Sequence, residues 1–392
     1  MATTPRDERI SGYRKSSARC RALPSVIVRI SLRIPVSSYA LPDRAVLILT
    51  AAGTRSNADH GSGRPSQSRL KCRCYRSIGP ARCTAPNFTE FDQLWRKYET
   101  RFLRCSLWAA VMPERTFTDW HTHVYLPEHL GPVWTDRGTE LVGRPGFGSA
   151  DLDEHTRVMK ASGVERFLVL GLQVARIGMK VPNDFVGEYL DAHRDRAIGV
   201  GSVDPTQPGA AAELRRAVTE YGLHGVKLSP PYQGFHPYCE EAYEVYRAAA
   251  DLGIFLMFHQ ASVFSPDGCN EYAYPTLLDK VAREFRDINI LVAHFGKPWM
   301  NETVELMMKN RNVFADVSTL PVKTWQLYNG LRLAIEGHVT DRLVFGSDFP
   351  SFDPREAADQ FLAISDLEMP LPIPREVVED ILYHRPLDLI LR

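Results

Sequence analysis

The sequence predicts an α/β fold, a TIM-type (β/α)8 barrel over residues 112–392, preceded by a basic extension over residues 1–111. Three observations predict it. Eight short runs rich in Val, Ile, Leu and Phe alternate with longer amphipathic stretches, the rhythm of βα units around a parallel sheet. The 281 residues from Met112 onward are close to the roughly 250 typical of such a barrel. No Gly-x-Gly-x-x-Gly follows the first run, which argues against a doubly wound open sheet.

The first strand lies in TFTDWHTHVYLP, residues 116–127, and ends in His121 and His123. Alternate side chains of a strand share a face, so these two imidazoles can converge on one point beyond the strand end. Alone, a His-x-His pair is a weak signal and needs partners elsewhere. A long loop through Pro132 and Pro145 follows, then a helix in DLDEHTRVMKASG with Asp151 as its N-cap. The second strand is VERFLVLGL (164–172) with the helix NDFVGEYLDAHRD, and the third is AIGVGSV (197–203) with PGAAAELRRAVTEYG, where Gly222 suits the C-cap. The fourth is HGVKLSP (224–230) with YCEEAYEVYRAAADLG, and the fifth is IFLMFHQ (254–260) with YPTLLDKVAREFRD. The sixth is INILVAHFG (288–296) with NETVELMMKN, and the seventh is NVFADVS (312–318) with TWQLYNGLRLAIEG. The eighth is RLVFGSDFP (342–350) with PREAADQFLAISDL, and a closing helix is expected in PREVVEDILYHRPLDLIL.

Residues 1–111 read differently. They hold 20 Lys and Arg against 7 Asp and Glu, while the remainder holds 27 against 40, so a formal net charge of zero hides two opposite halves. Five of the seven cysteines are also there, with one Cys-x-Cys and no Cys-x-x-Cys, which argues against a zinc ribbon. Ser, Arg, Gly and Pro dominate without helical or strand period. The favoured reading is a low-order extension, upstream sequence read from an early start, with Met112 as a natural beginning. A transit peptide and a basic arm for nucleic acid are weaker readings, since the charges are not interleaved with aromatics. No function is assigned to this part. No run of about 18 apolar residues exists, so no membrane-spanning helix is expected.

Catalytic groups in such barrels sit at the carboxyl ends of the strands. The first strand ends in His121 and His123, the fourth carries Lys227, the fifth ends in His259, the sixth in His294 and the eighth in Asp348. A lone histidine at a strand end is usually structural, but metal-ligand types at five separate strand ends form a joint signal. His155, His193 and His384 fall in helical stretches, His338 at a helix end, and His224 at the opposite mouth. His236, in the loop PPYQGFHP, stands within possible reach. Tyr232, Phe235, Trp299 and Phe349 follow strands directly and are candidates for an apolar wall facing a flat substrate. Lys297, Arg137 and Arg144 are candidates to pair with a substrate carboxylate.

The segments DWHTH, GVKLSPPYQGF, FLMFHQ, LVAHFGKPW and LVFGSDFPSF, spanning residues 116–352, resemble the amidohydrolase superfamily. The closer likeness is to its amidohydrolase-related branch, which includes aminocarboxymuconate-semialdehyde decarboxylase and related aromatic-acid decarboxylases. The resemblance implies one divalent metal, usually zinc, held by His121, His123, His259 and Asp348, with His294 acting in catalysis alongside Asp348. It leaves Lys227 open between a carboxylated bridge to a second metal and a charged group facing substrate. The closing stretch departs from the branch, with Tyr383, His384, Arg385 and Pro386 where relatives often carry Gly-Asn.

The primary expectation is a metal-dependent hydrolase of a small cyclic amide, ester or lactone. The alternative is a metal-dependent decarboxylase of an aromatic or unsaturated acid, because the same ligands serve both reactions. A non-catalytic barrel is the weakest reading, since every proposed ligand position keeps a competent residue. The expected partner is a small-molecule substrate, with no nucleic acid and no membrane, in the cytoplasm. The assembly stays open, a homodimer included.

Overall fold

Eight parallel strands, each hydrogen-bonded to the next in chain order, make the central sheet. The computed structural model describes residues 115–131, 150–263 and 265–391. The extension 1–111, its boundary at Met112, and the loop arginines Arg137 and Arg144 lie outside the described residues. The strands are β1 (Phe117–His123), β2 (Val164–Leu170), β5 (Ala197–Ser202), β6 (Gly225–Leu228), β7 (Phe255–Phe258), β8 (Ile290–Val292), β9 (Val313–Asp316) and β10 (Leu343–Val344). A small antiparallel hairpin, β3 (Gln173–Val174) and β4 (Met179–Lys180), projects from the loop after β2.

The barrel closes between its first strand and the segment after its last. Trp120 N donates to Phe345 O at 2.8 Å, Asp348 N to His121 O at 2.8 Å and His123 N to Phe349 O at 2.8 Å. Two expected strands are shorter than their apolar runs. The sixth stops at Val292, just before His294 (φ 57°) and Phe295 (φ 50°) turn into the left-handed region, and the eighth stops at Val344, with Asp348 (φ 66°) in the same region in the segment that follows. A strand cannot continue through that region, and a non-glycine residue held there is strained.

The period of two along the strands builds two separate cores. Leu168, Leu170, Ile198, Val200, Met257 and Leu291 share a cluster with the other lumen-facing strand residues and with Leu387 and Ile390 from the end of the chain. Intervening residues such as Phe167, Val169, Leu256 and Val292 join the larger core with helix residues such as Leu214, Val245 and Leu331. The first set is the barrel lumen and the second the layer between sheet and helices. The closing helix ends at Tyr383, because Pro386 cannot continue it. A 3-10 turn at Leu387–Leu389 then carries Leu387 into the lumen cluster, with Asn289 Nδ2 donating to Ile390 O at 2.9 Å.

The surrounding helices start and stop as their local chemistry dictates. Asp151 accepts from Glu154 N at 2.9 Å and caps the helix Leu152–Ala161, an interaction worth about 1 kcal/mol. Gly222 ends the helix Ala210–Tyr221 at φ 67°, where a side chain would be strained. Among the described residues no helix is long and apolar enough to cross a membrane.

Candidate active site at the carboxyl ends of the strands

Each strand-end residue reaches the same mouth of the barrel. His121 and His123 leave β1 with Nε2 atoms 3.3 Å apart. Asp348, following β10, brings Oδ1 to 3.2 Å from His121 Nε2 and 3.7 Å from His123 Nε2. Lys227 on β6 places Nζ 3.3 Å from His121 Nε2. His294, in the turn after β8, stacks on His121 with ring centroids 4.8 Å apart, and His259, after β7, packs on His294 at 4.7 Å. Donor atoms of His121, His294 and Asp348 all lie within 4.8 Å of one another, a set able to hold a metal ion.

Beneath these groups sits a residue that the strand-end reading did not single out. Asp316 closes β9, fully buried, with Oδ2 3.0 Å from His121 Nδ1. Its Oδ1 accepts from His294 N at 3.0 Å, from Ser318 N at 3.0 Å and from the Ser318 hydroxyl. Burial alone would raise this carboxyl. The nearby His121, Ser318 and Lys227 outweigh burial and hold it below its ordinary value. The available signal was an acid inside the apolar run NVFADVS, since an acid buried there needs partners.

The network assigns the imidazole protons. An ionised Asp316 accepts a hydrogen bond from Nδ1–H of His121, so His121 Nε2 presents a lone pair. Ser318 Oγ gives its proton to Asp316 and therefore accepts from His294 Nδ1 at 2.7 Å. His294 Nε2 is then an acceptor for His259 Nδ1 at 3.1 Å. That leaves His259 Nε2 as a bare lone pair, buried and without a hydrogen-bond partner among the described residues. Burial keeps His259 and His294 neutral by pushing both well below the ordinary histidine value, helped by the surrounding lysines and histidines. Burial likewise pushes His123 down to about 4. Asp348 would be raised by burial, but His123 and His121 beside it hold it below its usual value. Burial pushes Lys227 down to about 8, against the pull of Asp316 and Asp348.

A cavity of about 480 Å³ opens above this floor, the size of a small-ligand site. Its walls are largely apolar and include Tyr125, Leu130, Leu172, Met179, Val181 and Phe352. Tyr232 is also in the wall, edge-on to His259 with centroids 5.0 Å apart. The other three aromatic candidates are corrected by their packing, since none lines this cavity among the described residues. Phe235 is 4% exposed inside the outer core. Phe349 turns its edge to His155 at 5.5 Å, also within that core. Trp299 leans on Tyr274 at 5.3 Å. In each case adjacency to a strand end did not decide which way the ring points. His236 is likewise taken up elsewhere, accepting from Tyr238 N at 3.0 Å and packing on Tyr272. Lys297 does line the cavity, joined by Thr319 and Lys323.

The Amidohydrolase family model matches residues 118–389. No curated protein matches the chain. Among solved structures, an uncharacterised TIM-barrel protein from Bordetella bronchiseptica aligns with a TM-score of 0.56 at 22% identity, over 69% of this chain and 96% of that one. A probable 2-pyrone-4,6-dicarboxylic acid hydrolase from Acinetobacter baumannii aligns with a TM-score of 0.51 at 16% identity, over 70% of this chain and 99% of that one. The 5-carboxyvanillate decarboxylase from Sphingomonas paucimobilis gives 0.51 at 16%, over 71% and 99%. At these identities the structural likenesses establish the fold, whereas the family match extends through β1 to β10 and takes in every strand-end group, so the chain belongs to the amidohydrolase family.

Proposed function

We propose that this protein is a metal-dependent hydrolase of a small cyclic amide, ester or lactone. The observations that carry the reading are the convergence of His121, His123 and Asp348 at one mouth of the barrel and the buried His259 Nε2, which has no hydrogen-bond partner among the described residues. A buried lone pair without a donor is costly, and a cation facing it relieves the cost. His121, His123, His259 and Asp348 would hold one divalent ion, with zinc as the expected metal; His294, grouped with His121 and Asp348 by distance, has both ring nitrogens engaged by Ser318 and His259. A bound ion of this kind supplies Lewis acidity and a water acidified toward neutral pH.

The chain's own groups supply the rest. Asp348 is held as a carboxylate and would take the proton released by the attacking water, then pass it to the leaving atom. Neutral His294, oriented by Ser318 through its Nδ1, would steady the substrate carbonyl or receive a proton at Nε2 once His259 is engaged. The apolar walls would exclude bulk water from the developing charge.

A second reading, decarboxylation of an unsaturated acid, draws support from Lys227. An ammonium in the floor, 3.3 Å from His121 Nε2, is a candidate to deliver a proton to carbon as carbon dioxide leaves. Elemental analysis of protein purified without chelator tests the shared premise, with His259→Ala as control. One ion per chain, lost in the variant, supports it, and none overturns it. Screening small lactones and esters for acid release, and unsaturated acids for carbon dioxide release, separates the two reactions.

A further inference from the structure

Among the described residues, three ammonium groups, Lys227, Lys297 and Lys323, line the cavity, against one carboxylate, Asp348. Lys227 is accounted for by the acids around it in the floor. Lys297 is not. Its Nζ donates to Thr319 Oγ1 at 2.7 Å, and it forms no ion pair among the described residues. Burial, together with the like charge of Lys323 beside it, pushes Lys297 down to about 8 against the pull of Asp348 and Asp316. Holding two lysines together in a largely apolar cavity is unfavourable unless an anion comes to sit between them.

The local backbone is shaped around this contact. Thr319 is a β-branched residue at φ 65°, a conformation that costs energy, and it presents its hydroxyl to Lys297 while its neighbours Val322 and Lys323 form cavity wall. A threonine hydroxyl that accepts from an ammonium keeps its own proton free to donate. Lys297 and Thr319 together therefore offer two donors to a carboxylate, with Lys323 adding charge from the exposed side.

We propose that Lys297, Thr319 and Lys323 form a carboxylate-binding subsite, so that the substrate is a small acid whose reacting group reaches His121 and Asp348 while its carboxylate is held by Lys297. This rests on the hydrolase reading only in that the same cavity receives the substrate. It narrows the substrate class from neutral lactones, esters and amides to carboxylated ones.

The test uses isophthalate as probe and benzene-1,3-dimethanol as its neutral counterpart, with binding followed by calorimetry on the full chain. Wild type should bind isophthalate, and Lys297→Met should weaken it by about tenfold to a hundredfold, the range for one lost charge-assisted hydrogen bond. Lys297→Arg should restore most of the binding, Lys323→Ala should cost a few-fold, and the neutral diol should not distinguish any of them. Equal isophthalate binding by wild type and Lys297→Met would overturn the subsite, as would absence of binding to wild type at millimolar probe. Should Lys297→Met fail to fold, an unchanged affinity in Lys323→Ala together with Thr319→Val would overturn it equally. Repeating the titration on His259→Ala separates the two ideas: Lys297-dependent binding that survives loss of the ion keeps the subsite on its own ground, whereas a wild type that carries no ion removes the hydrolase and leaves the subsite standing.

Discussion

Asp316 Oδ2 lies 3.0 Å from His121 Nδ1 at the bottom of the cavity, and neither residue is exposed to solvent. The pair fixes which imidazole nitrogen faces the cluster. Asp316→Asn keeps the size but removes the charge that holds the Nδ1 proton, and metal affinity should fall about tenfold to a hundredfold. Competition against a chelator measures it. Unchanged affinity would show that Asp316 is only a structural acid.

Gly346 stands against the same histidine from the closing segment. A Cβ there would lie 2.7 Å from His121 Cβ and 3.3 Å from its backbone nitrogen. Gly346→Ala should therefore push His121 out of register, costing about 1–3 kcal/mol in urea unfolding and weakening metal binding together. Loss of stability with full metal affinity would mean that the strand, not the histidine, gives way.

His155 links two helices to the first strand without touching the cavity. Thr122 Oγ1 donates to Leu168 O at 2.6 Å and so accepts from His155 Nε2 at 2.9 Å, while Tyr189 donates to His155 Nδ1 at 2.7 Å. Burial, with the neighbouring His193 and His123, pushes its pKa from 6.5 down to about 3. The folded state thus binds fewer protons than the unfolded one between these values. The stability this residue contributes is complete above 6.5 and is lost as pH falls toward 3, at most about 5 kcal/mol. His155→Gln should remove that acid-side decline. Unfolding curves across this pH range compare the two, and parallel declines would refute the assignment.

Lys227 decides the number of ions. As a free ammonium it excludes a second metal, and as a carbamate it would bridge two. Its Nζ lies 3.3 Å from His121 Nε2, within reach of the cluster in either form, and the one-ion reading expects the free amine. Wild type and Lys227→Met should each carry one ion per chain. Two ions in wild type falling to one in the variant would establish the bridge.

Much of this was legible from the chain in order. The eight βα units, the N-cap at Asp151, the C-cap at Gly222 and the strand-end positions of His121, His123, Lys227, His259, His294 and Asp348 all follow from local pattern. Each depends on residues within a few positions of one another, where period, caps and chain direction act. The strand ends after β8 and β10 were less legible, because His294 and Asp348 take strained backbone that no local preference favours.

By itself, then, the sequence determined a (β/α)8 barrel and which side chains arrive at one mouth of it. Only the tertiary structure decided what those side chains meet. Asp316 lies 195 positions from the histidine it orients, and Thr319 lies 22 from the lysine it anchors. Phe235 and Phe349 turned into the core while Phe352 and Tyr232 faced the cavity. Proton positions and ring directions depend on distances between segments that only closure of the barrel sets, and on burial that makes an unpartnered group costly.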